Sequence, residues 1–487
     1  MPTIDPQKDY YAALGIPATA DEDQIKKAYR DKARQYHPDS ANGDAALFRV
    51  AHEAYEILQD AALRRAYDRQ REGRGLSEEA PFTFELLQNT KYLPILDTSQ
   101  MMYVMLDIRA KKDLRSSRRR LNLALVIDRS TSMKGTRMQN VKLAAKDLLD
   151  SLYTEDRLSI VAFSDRAEVL APSDRVGNTR VFNSAIAALT PSGGTEIYQG
   201  LLAGLNQVTN DAPDTSINHV ILLTDGRTYG DEDQALSAAR RAGAQNIGIS
   251  ALGIGEDWND VFLDKLARYG GGVSQYIRTP SQVRQVLREQ IQGLTNTVAQ
   301  RMALTFGLAS DVRVNGVQRA TPYIESLECT QENLVSLGSL TVGEPVTVVV
   351  ELVVNQSEGG ERRVARINLE AEESSTANRI HLRKDINVTF STNPVVEPVP
   401  PRMLNVLARV SVFQLQERAW GALEDGNSRQ ATRYLEAAAT QLFNLGYREL
   451  GQAAMLEVGR ISQGGDPTGT GRKKLRYGTR ALSMPSE

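Results

Sequence analysis

Residues 121–127, LNLALVI, form an apolar run without alternation that ends in Asp128 and leads into the amphipathic segment MQNVKLAAKDLLDSL. A strand buried on one face alternates apolar and polar residues. An unbroken run belongs to a strand covered on both faces, as in a parallel sheet with helices above and below. The alternation then repeats through RLSIVAFS, the helical FNSAIAAL and IYQGLLAGLNQV, HVILLTDG, ALSAARRAGAQ and NIGISALGIG. Residues 120–300 therefore read as a doubly wound α/β sheet. Such sheets bind ligands in the crevice beyond the ends of their strands. Polar residues gather at those ends in three places: Asp128-x-Ser130-x-Ser132, Ser192-Gly193-Gly194-Thr195 and Thr224-Asp225-Gly226. Two carboxylates with hydroxyl oxygens make a hard, all-oxygen donor set suited to Mg²⁺ or Mn²⁺. Asp128, Ser130, Ser132, Thr195 and Asp225 form an incomplete shell, which waters or a partner's carboxylate would fill.

Taken alone, Asp128 and Ser130 could simply cap the next helix. The three segments together point to a metal. Catalysis is the weaker reading. The best-placed imidazole, His219, precedes its strand, and metal-assisted phosphoryl or ester hydrolysis would need a base and an electrophilic Lys or Arg that the sequence does not place. No GxxxxGK[ST] loop occurs. The order and spacing of DxSxS, GGT and TDG resemble the von Willebrand factor A domain with its metal-ion-dependent adhesion site. ALGIGEDWNDVFLDKLARYGGGVSQYI resembles that family's closing strand and helix. Thr131 stands where many members carry Gly. The resemblance implies a non-enzymatic domain that captures a protein through its metal, an acidic side chain of the partner completing the shell.

Upstream, Asp21-Glu22-Asp23 places acidic residues where a helix dipole favours them, and an apolar stripe follows at Ile25, Ala28 and Tyr29. The helix should stop at His37-Pro38, because a residue before Pro leaves the helical region. A second helical pattern begins near Asp44, with Phe48, Ala51, Tyr55 and Leu58 at helical spacing. His37-Pro38-Asp39 then occupies the loop of a helical hairpin. The opening DYYAALG, the KKAYR helix, HPD and the closing EAYEILQD and RRAYD resemble the J domain of DnaJ-type co-chaperones across residues 8–72. That resemblance implies docking on a DnaK-type chaperone, and triggering of its ATPase, through His37, Pro38 and Asp39 with Lys26, Tyr29 and Arg30. Asp31 departs from the usually basic face, and Lys32 stands where an apolar residue is common, so its stem must snorkel. Neither a glycine- and phenylalanine-rich region nor a paired-cysteine module follows, so the J domain reads as an adaptor arm.

A length of 487 residues suggests roughly three domains. The flanks read as a linker (73–81), strands at 82–119, an all-β segment at 301–392, a Pro-rich spacer (393–402), a helical domain (403–463) and a flexible basic tail (464–487). The strands at 82–119 have no other obvious partner and are expected to complete a β-sandwich with 301–392, the α/β domain being inserted in or flanked by it. Phe413, Trp420, Tyr434 and Phe443 are expected to be core. The fold class is thus multidomain α+β: an N-terminal helical domain, an α/β domain, a β-sandwich and a C-terminal helical segment.

A net charge of −2 argues against a whole-chain nucleic-acid binder, and the lone Cys329 excludes an internal disulfide or a cysteine-built zinc site. With no signal-peptide pattern and no apolar stretch of membrane-spanning length, the expectation is a soluble cytoplasmic protein. The combined expectation is a targeted co-chaperone. The alternative is a metal-dependent scaffold without ATPase-stimulating activity.

Overall fold

The computed structural model describes residues 10–14, 16, 20, 22–36, 45–60, 63–64, 66–68, 80–111, 119–209, 216–226, 228, 230–255, 258–355, 358–374, 376, 378–465 and 467–482. The chain divides into two compact units, Met1–Ala80 with Ile380–Arg383, and Pro81–Arg379 with Lys384–Glu487.

The first unit contains α1 (Tyr10–Leu14), α2 (Glu22–Tyr36) and α3 (Ala45–Gln59). Glu22 and Asp23 lie in the first turn of α2 and Arg34 in its last, as the helix dipole favours. Tyr10, Tyr11, Leu14, Ile25, Ala51, Ala54, Ile57, Leu58 and Tyr67 form a small core. The Tyr67 hydroxyl accepts the Tyr10 N–H at 3.0 Å and so ties the opening helix to the closing segment.

The second unit begins with β1 (Phe82–Gln88), β2 (Tyr92–Pro94) and β3 (Gln100–Ala110). The α/β domain follows: β4 (Leu121–Asp128), α4 (Thr136–Ser151), β5 (Arg157–Phe163), β6 (Ala167–Arg175), α5 (Thr179–Ala188), α6 (Ile197–Thr209), β7 (Ile217–Thr224), α7 (Glu232–Ala244), β8 (Ile247–Ile254), α8 (Asp260–Tyr269), β9 (Gly271–Ile277) and α9 (Val283–Thr295). Its six strands run in the order β6-β5-β4-β7-β8-β9. All neighbours are parallel except the antiparallel edge pair β5–β6. Every residue of β4 is buried. Leu121, Leu123, Leu125 and Ile127 join one core with α4, α5 and α9, whereas Ala124 and Val126 join the other with α6, α7 and α8. The unbroken apolar run has this cause: successive side chains enter two different cores.

Outside that domain, β1 to β3 on its N-terminal side are joined by seven strands on its C-terminal side. These seven are β10 (Thr297–Leu308), β11 (Val312–Thr321), β12 (Glu325–Leu327), β13 (Leu334–Thr341), β14 (Val346–Val354), β15 (Gly360–Glu373) and β16 (Arg379–Ser391). Two five-stranded sheets result, β1-β3-β14-β11-β12 and β13-β10-β15-β16-β2. β14, VTVVVELVV, is buried at every position, and it pairs antiparallel with β3, placing Val350 opposite Val104. The strands before the α/β domain therefore share a sheet with strands after it, and the α/β domain is an insertion.

Four helices close the chain: α10 (Pro401–Glu424), α11 (Ser428–Asn444), α12 (Arg448–Ser462) and α13 (Gly469–Arg480). Met403, Val406, Val410 and Phe413 of α10 pack on Met105 and Val349 of the first sheet. Trp420 and Tyr434 pack with α11 to α13, but Phe443 is 41% exposed, its ring lying over Gly451. The expected flexible tail at 464–487 is corrected by α13. This helix buries Lys473, Leu475, Arg476, Thr479 and Arg480. These basic residues meet protein partners rather than solvent: Arg476 and Arg480 reach the Asp264 carboxylate at 3.3 and 2.8 Å, and Lys473 Nζ donates to the backbone carbonyl of Trp258 at 2.7 Å.

Candidate metal centre and docking helix

β4 and β7 are adjacent and parallel, so Asp128 and Asp225 emerge at the same edge of the sheet. The Ser130 N–H donates to Asp128 Oδ1 at 2.7 Å and the Thr224 hydroxyl to Asp128 Oδ2 at 2.6 Å. Ser130 Oγ lies 2.8 Å from Ser132 Oγ, which donates to Asp225 Oδ1 at 2.7 Å. The two carboxylates are thereby linked through Ser130, whose N–H holds Asp128 and whose hydroxyl meets that of Ser132, and through Ser132 to Asp225. Thr195 Oγ1 lies beside Gly226, 3.2 Å from where a Cβ on that glycine would stand. All five expected ligand residues thus converge on one edge of the sheet.

Backbone bonds hold the loops in register. Arg129 N donates to Phe163 O at 2.8 Å, Ser192 N to Arg129 O at 2.6 Å, and Thr131 N to Gly193 O at 3.1 Å. Gly193 has φ +79°, and a Cβ there would collide with the Asp165 carboxylate, which accepts the Gly194 N–H at 2.8 Å. The glycines of SGGT are thus needed for both backbone conformation and close approach.

Asp128, Ser130, Asp225 and Thr195 are buried at 0, 2, 1 and 7% exposure. Burial pushes the Asp128 carboxyl up to about 6, against the pull of its hydrogen bonds from Thr224 and Ser130, and the neighbouring Asp225 charge adds to the rise. A divalent cation would relieve this repulsion. Hydroxyls that donate to carboxylates keep oxygen lone pairs available, so the donor set fits Mg²⁺ or Mn²⁺. Among the described residues no group of three or more His, Cys, Asp or Glu is placed to hold a metal. The protein's share of a shell here would come from two carboxylates and the hydroxyls.

Arg137, in the first turn of α4, is a site residue that sequence reasoning misses. Its guanidinium donates to Asp225 Oδ2, and to Ser132 O at 3.2 Å. Arg137 lies 88 residues from its partner in the chain, and no local motif marks it. His219 lies inside β7 near its start, not before it. It is remote from the site and buried, with Nε2 2.9 Å from Ser250 Oγ.

On α2, Lys26 donates to Glu22 Oε1 at 2.6 Å and Arg30 to Lys26 O at 3.3 Å. Tyr29 stacks on Tyr55 with centroids 4.2 Å apart and bonds His52 Nδ1 at 3.0 Å, so its ring belongs to the α2–α3 contact. Lys32 reaches the Tyr36 hydroxyl at 3.4 Å, its half-buried stem following the expected path. His37, Pro38 and Asp39 lie outside the described residues.

Residues 9–68 match the DnaJ domain, residues 122–291 the von Willebrand factor type A domain, and residues 401–485 the Sll0103-like, C-terminal alpha-helical domain. The chain is a fusion of a DnaJ domain with a von Willebrand factor type A domain, which joins a co-chaperone module to an interaction domain. It is 27% identical over 388 residues to the uncharacterized protein sll0103 of Synechocystis sp., a match covering 78% of this chain and 92% of that protein. Over 65 residues it is 52% identical to Chaperone protein DnaJ of Xylella fastidiosa, covering 13% of this chain and 18% of that protein. Among solved structures, a von Willebrand factor type A protein from Catenulispora acidiphila superposes with a TM-score of 0.66 at 20% identity, covering 84% of this chain and 98% of its own. The ArnB paralog VWA2 from Sulfolobus acidocaldarius gives 0.53 at 15% identity, covering 84% and 100%. These two show a shared fold. Among the described residues no helix is long and apolar enough to cross a membrane.

Proposed function

We propose that the protein is a targeted co-chaperone. Its DnaJ domain recruits a DnaK-type chaperone and stimulates ATP hydrolysis there, and its von Willebrand factor A domain holds the protein to be acted on. The observation that carries this reading is the joining, in one chain, of the DnaJ domain to a sheet edge where Asp128, Ser130, Ser132, Thr195 and Asp225 converge. Those five residues would hold Mg²⁺ or Mn²⁺. The metal would supply a Lewis-acidic position for an acidic side chain of the partner protein, while the carboxylates and hydroxyls orient that position. The polypeptide itself acts by binding: Arg137 is engaged with Asp225 and Ser132, and His219 is remote from the site. The cytoplasm, where DnaK-type chaperones and ATP meet, is the compartment this activity requires.

The test is single-turnover ATP hydrolysis by the cognate DnaK-type chaperone with the wild-type protein and with His37→Gln. Positioning and electrostatic effects of this kind change rates by orders of magnitude, and we expect at least about tenfold stimulation by the wild type alone. No stimulation by a folded wild-type protein would leave a metal-dependent scaffold as the better account.

A further inference from the structure

Asp225 is the more deeply committed of the two site carboxylates. Its side chain is fully buried, and both of its oxygens already accept hydrogen bonds, Oδ1 from Ser132 and Oδ2 from the Arg137 guanidinium. Asp128 differs: its two oxygens accept from the Ser130 N–H and the Thr224 hydroxyl, both uncharged. The site therefore contains one carboxylate with a built-in cationic partner and one without.

The guanidinium has a way out. The Arg137 side chain is 29% exposed, it comes from the first turn of α4, and it crosses the bare backbone of Gly255. There, a Cβ would stand 3.1 Å from Nη2, and Gly255 has φ +78°, so the crossing depends on glycine. Among the described residues, the other acceptor for this guanidinium is Ser132 O, which belongs to an exposed residue.

We infer that Arg137 is a competing counter-ion of the metal centre: it and the divalent cation vie for Asp225, and metal enters fully only as the guanidinium swings to solvent. This rests on the metal reading above. The physics is like-charge repulsion at short range. A dication placed among Asp128, Ser132 and Asp225 beside an unmoved guanidinium would face a positive charge across a buried, weakly screened carboxylate. Arg137 thus sets metal affinity without being a ligand, acting through Asp225 as a positioning residue. Its displacement should also be visible at a distance. The Trp258 indole N–H donates to Gly255 O at 2.8 Å, so movement over Gly255 perturbs that tryptophan.

The experiment compares the full-length wild type with Arg137→Gln and Arg137→Lys. Mn²⁺ binding would be followed by electron paramagnetic resonance and Mg²⁺ binding by calorimetry, with circular dichroism establishing that each protein is folded. Removal of a charge-assisted competitor should tighten binding by about tenfold in Arg137→Gln, whereas Arg137→Lys, which keeps the charge, should stay within about threefold of wild type. Metal-induced change in tryptophan fluorescence should shrink in Arg137→Gln. Equal affinities in all three proteins, or weaker binding by Arg137→Gln, would overturn the inference and leave the metal site standing. Binding of neither cation by any of the three would fail the metal reading itself, and the inference with it.

Discussion

The imidazole of His219 sits inside the sheet with Nε2 2.9 Å from Ser250 Oγ, and that hydroxyl donates to Gln290 Oε1 at 2.9 Å. Burial pushes its pKa down to about 4. The unfolded chain takes up this proton near pH 6.5, whereas the folded protein resists until about pH 4. The unfolded state therefore binds more protons across that window, and stability falls as pH drops through it. The slope is at most about 1.4 kcal/mol per pH unit, or about 3 kcal/mol over the whole window. Urea unfolding of wild type and His219→Gln at pH 7, 6 and 5 isolates this contribution from that of the carboxylates. The stability advantage of the wild type should shrink steadily toward pH 5. A gap that stays constant with pH would contradict the assignment.

Among the elements, α13 shows how a segment can look mobile in sequence and be held in the fold. GTGRKKLRYGTR is rich in Gly and cations and has no acidic residue of its own. What orders it lies far away in the chain. Arg480 meets Asp264 across 216 positions, Tyr477 donates to the same carboxylate at 3.0 Å, and Lys473 lies 4.6 Å over the Trp258 ring. Local propensity carries no trace of such partners. The same limit hid Arg137, whereas DxSxS and TDG were legible because each motif is short and stands at the end of its own strand; SGGT follows α5 rather than a strand and was legible from its paired glycines. β4 was legible for a different reason, since burial on two faces writes itself as an unbroken run.

The arrangement at α13 yields a test at this scale. Asp264 is 3% exposed in its side chain, and Arg476 and Arg480 are 9% exposed. Asp264→Ala would leave two buried guanidinium groups without their shared carboxylate, which should cost about 3–5 kcal/mol. The midpoint of chemical denaturation measures it. A loss below about 1 kcal/mol, the range of exposed pairs, would show that α13 does not depend on this contact.

At the scale of the whole molecule, the insertion of the α/β domain makes the first strands of the second unit indispensable to strands that follow more than two hundred residues later. In β3, Met102, Val104, Leu106 and Ile108 are fully buried, and its register with β14 runs from Gln100 opposite Val354 to Ile108 opposite Val346. Losing those four side chains alone removes on the order of 8 kcal/mol of apolar burial, comparable with the net stability of an ordinary domain. It also bares the edge of β14, an apolar strand that would offer itself for pairing with another chain. Two truncations separate these roles. A chain of residues 81–487 keeps β1 to β3 and should unfold cooperatively, with the metal affinity of the full protein. A chain of residues 119–487 keeps every candidate metal ligand, yet should aggregate or lose the β14 sheet. Size-exclusion chromatography with circular dichroism distinguishes them. A monomeric, fully folded 119–487 would mean that the α/β domain and the later strands form a closed unit without β3, contrary to the pairing seen here.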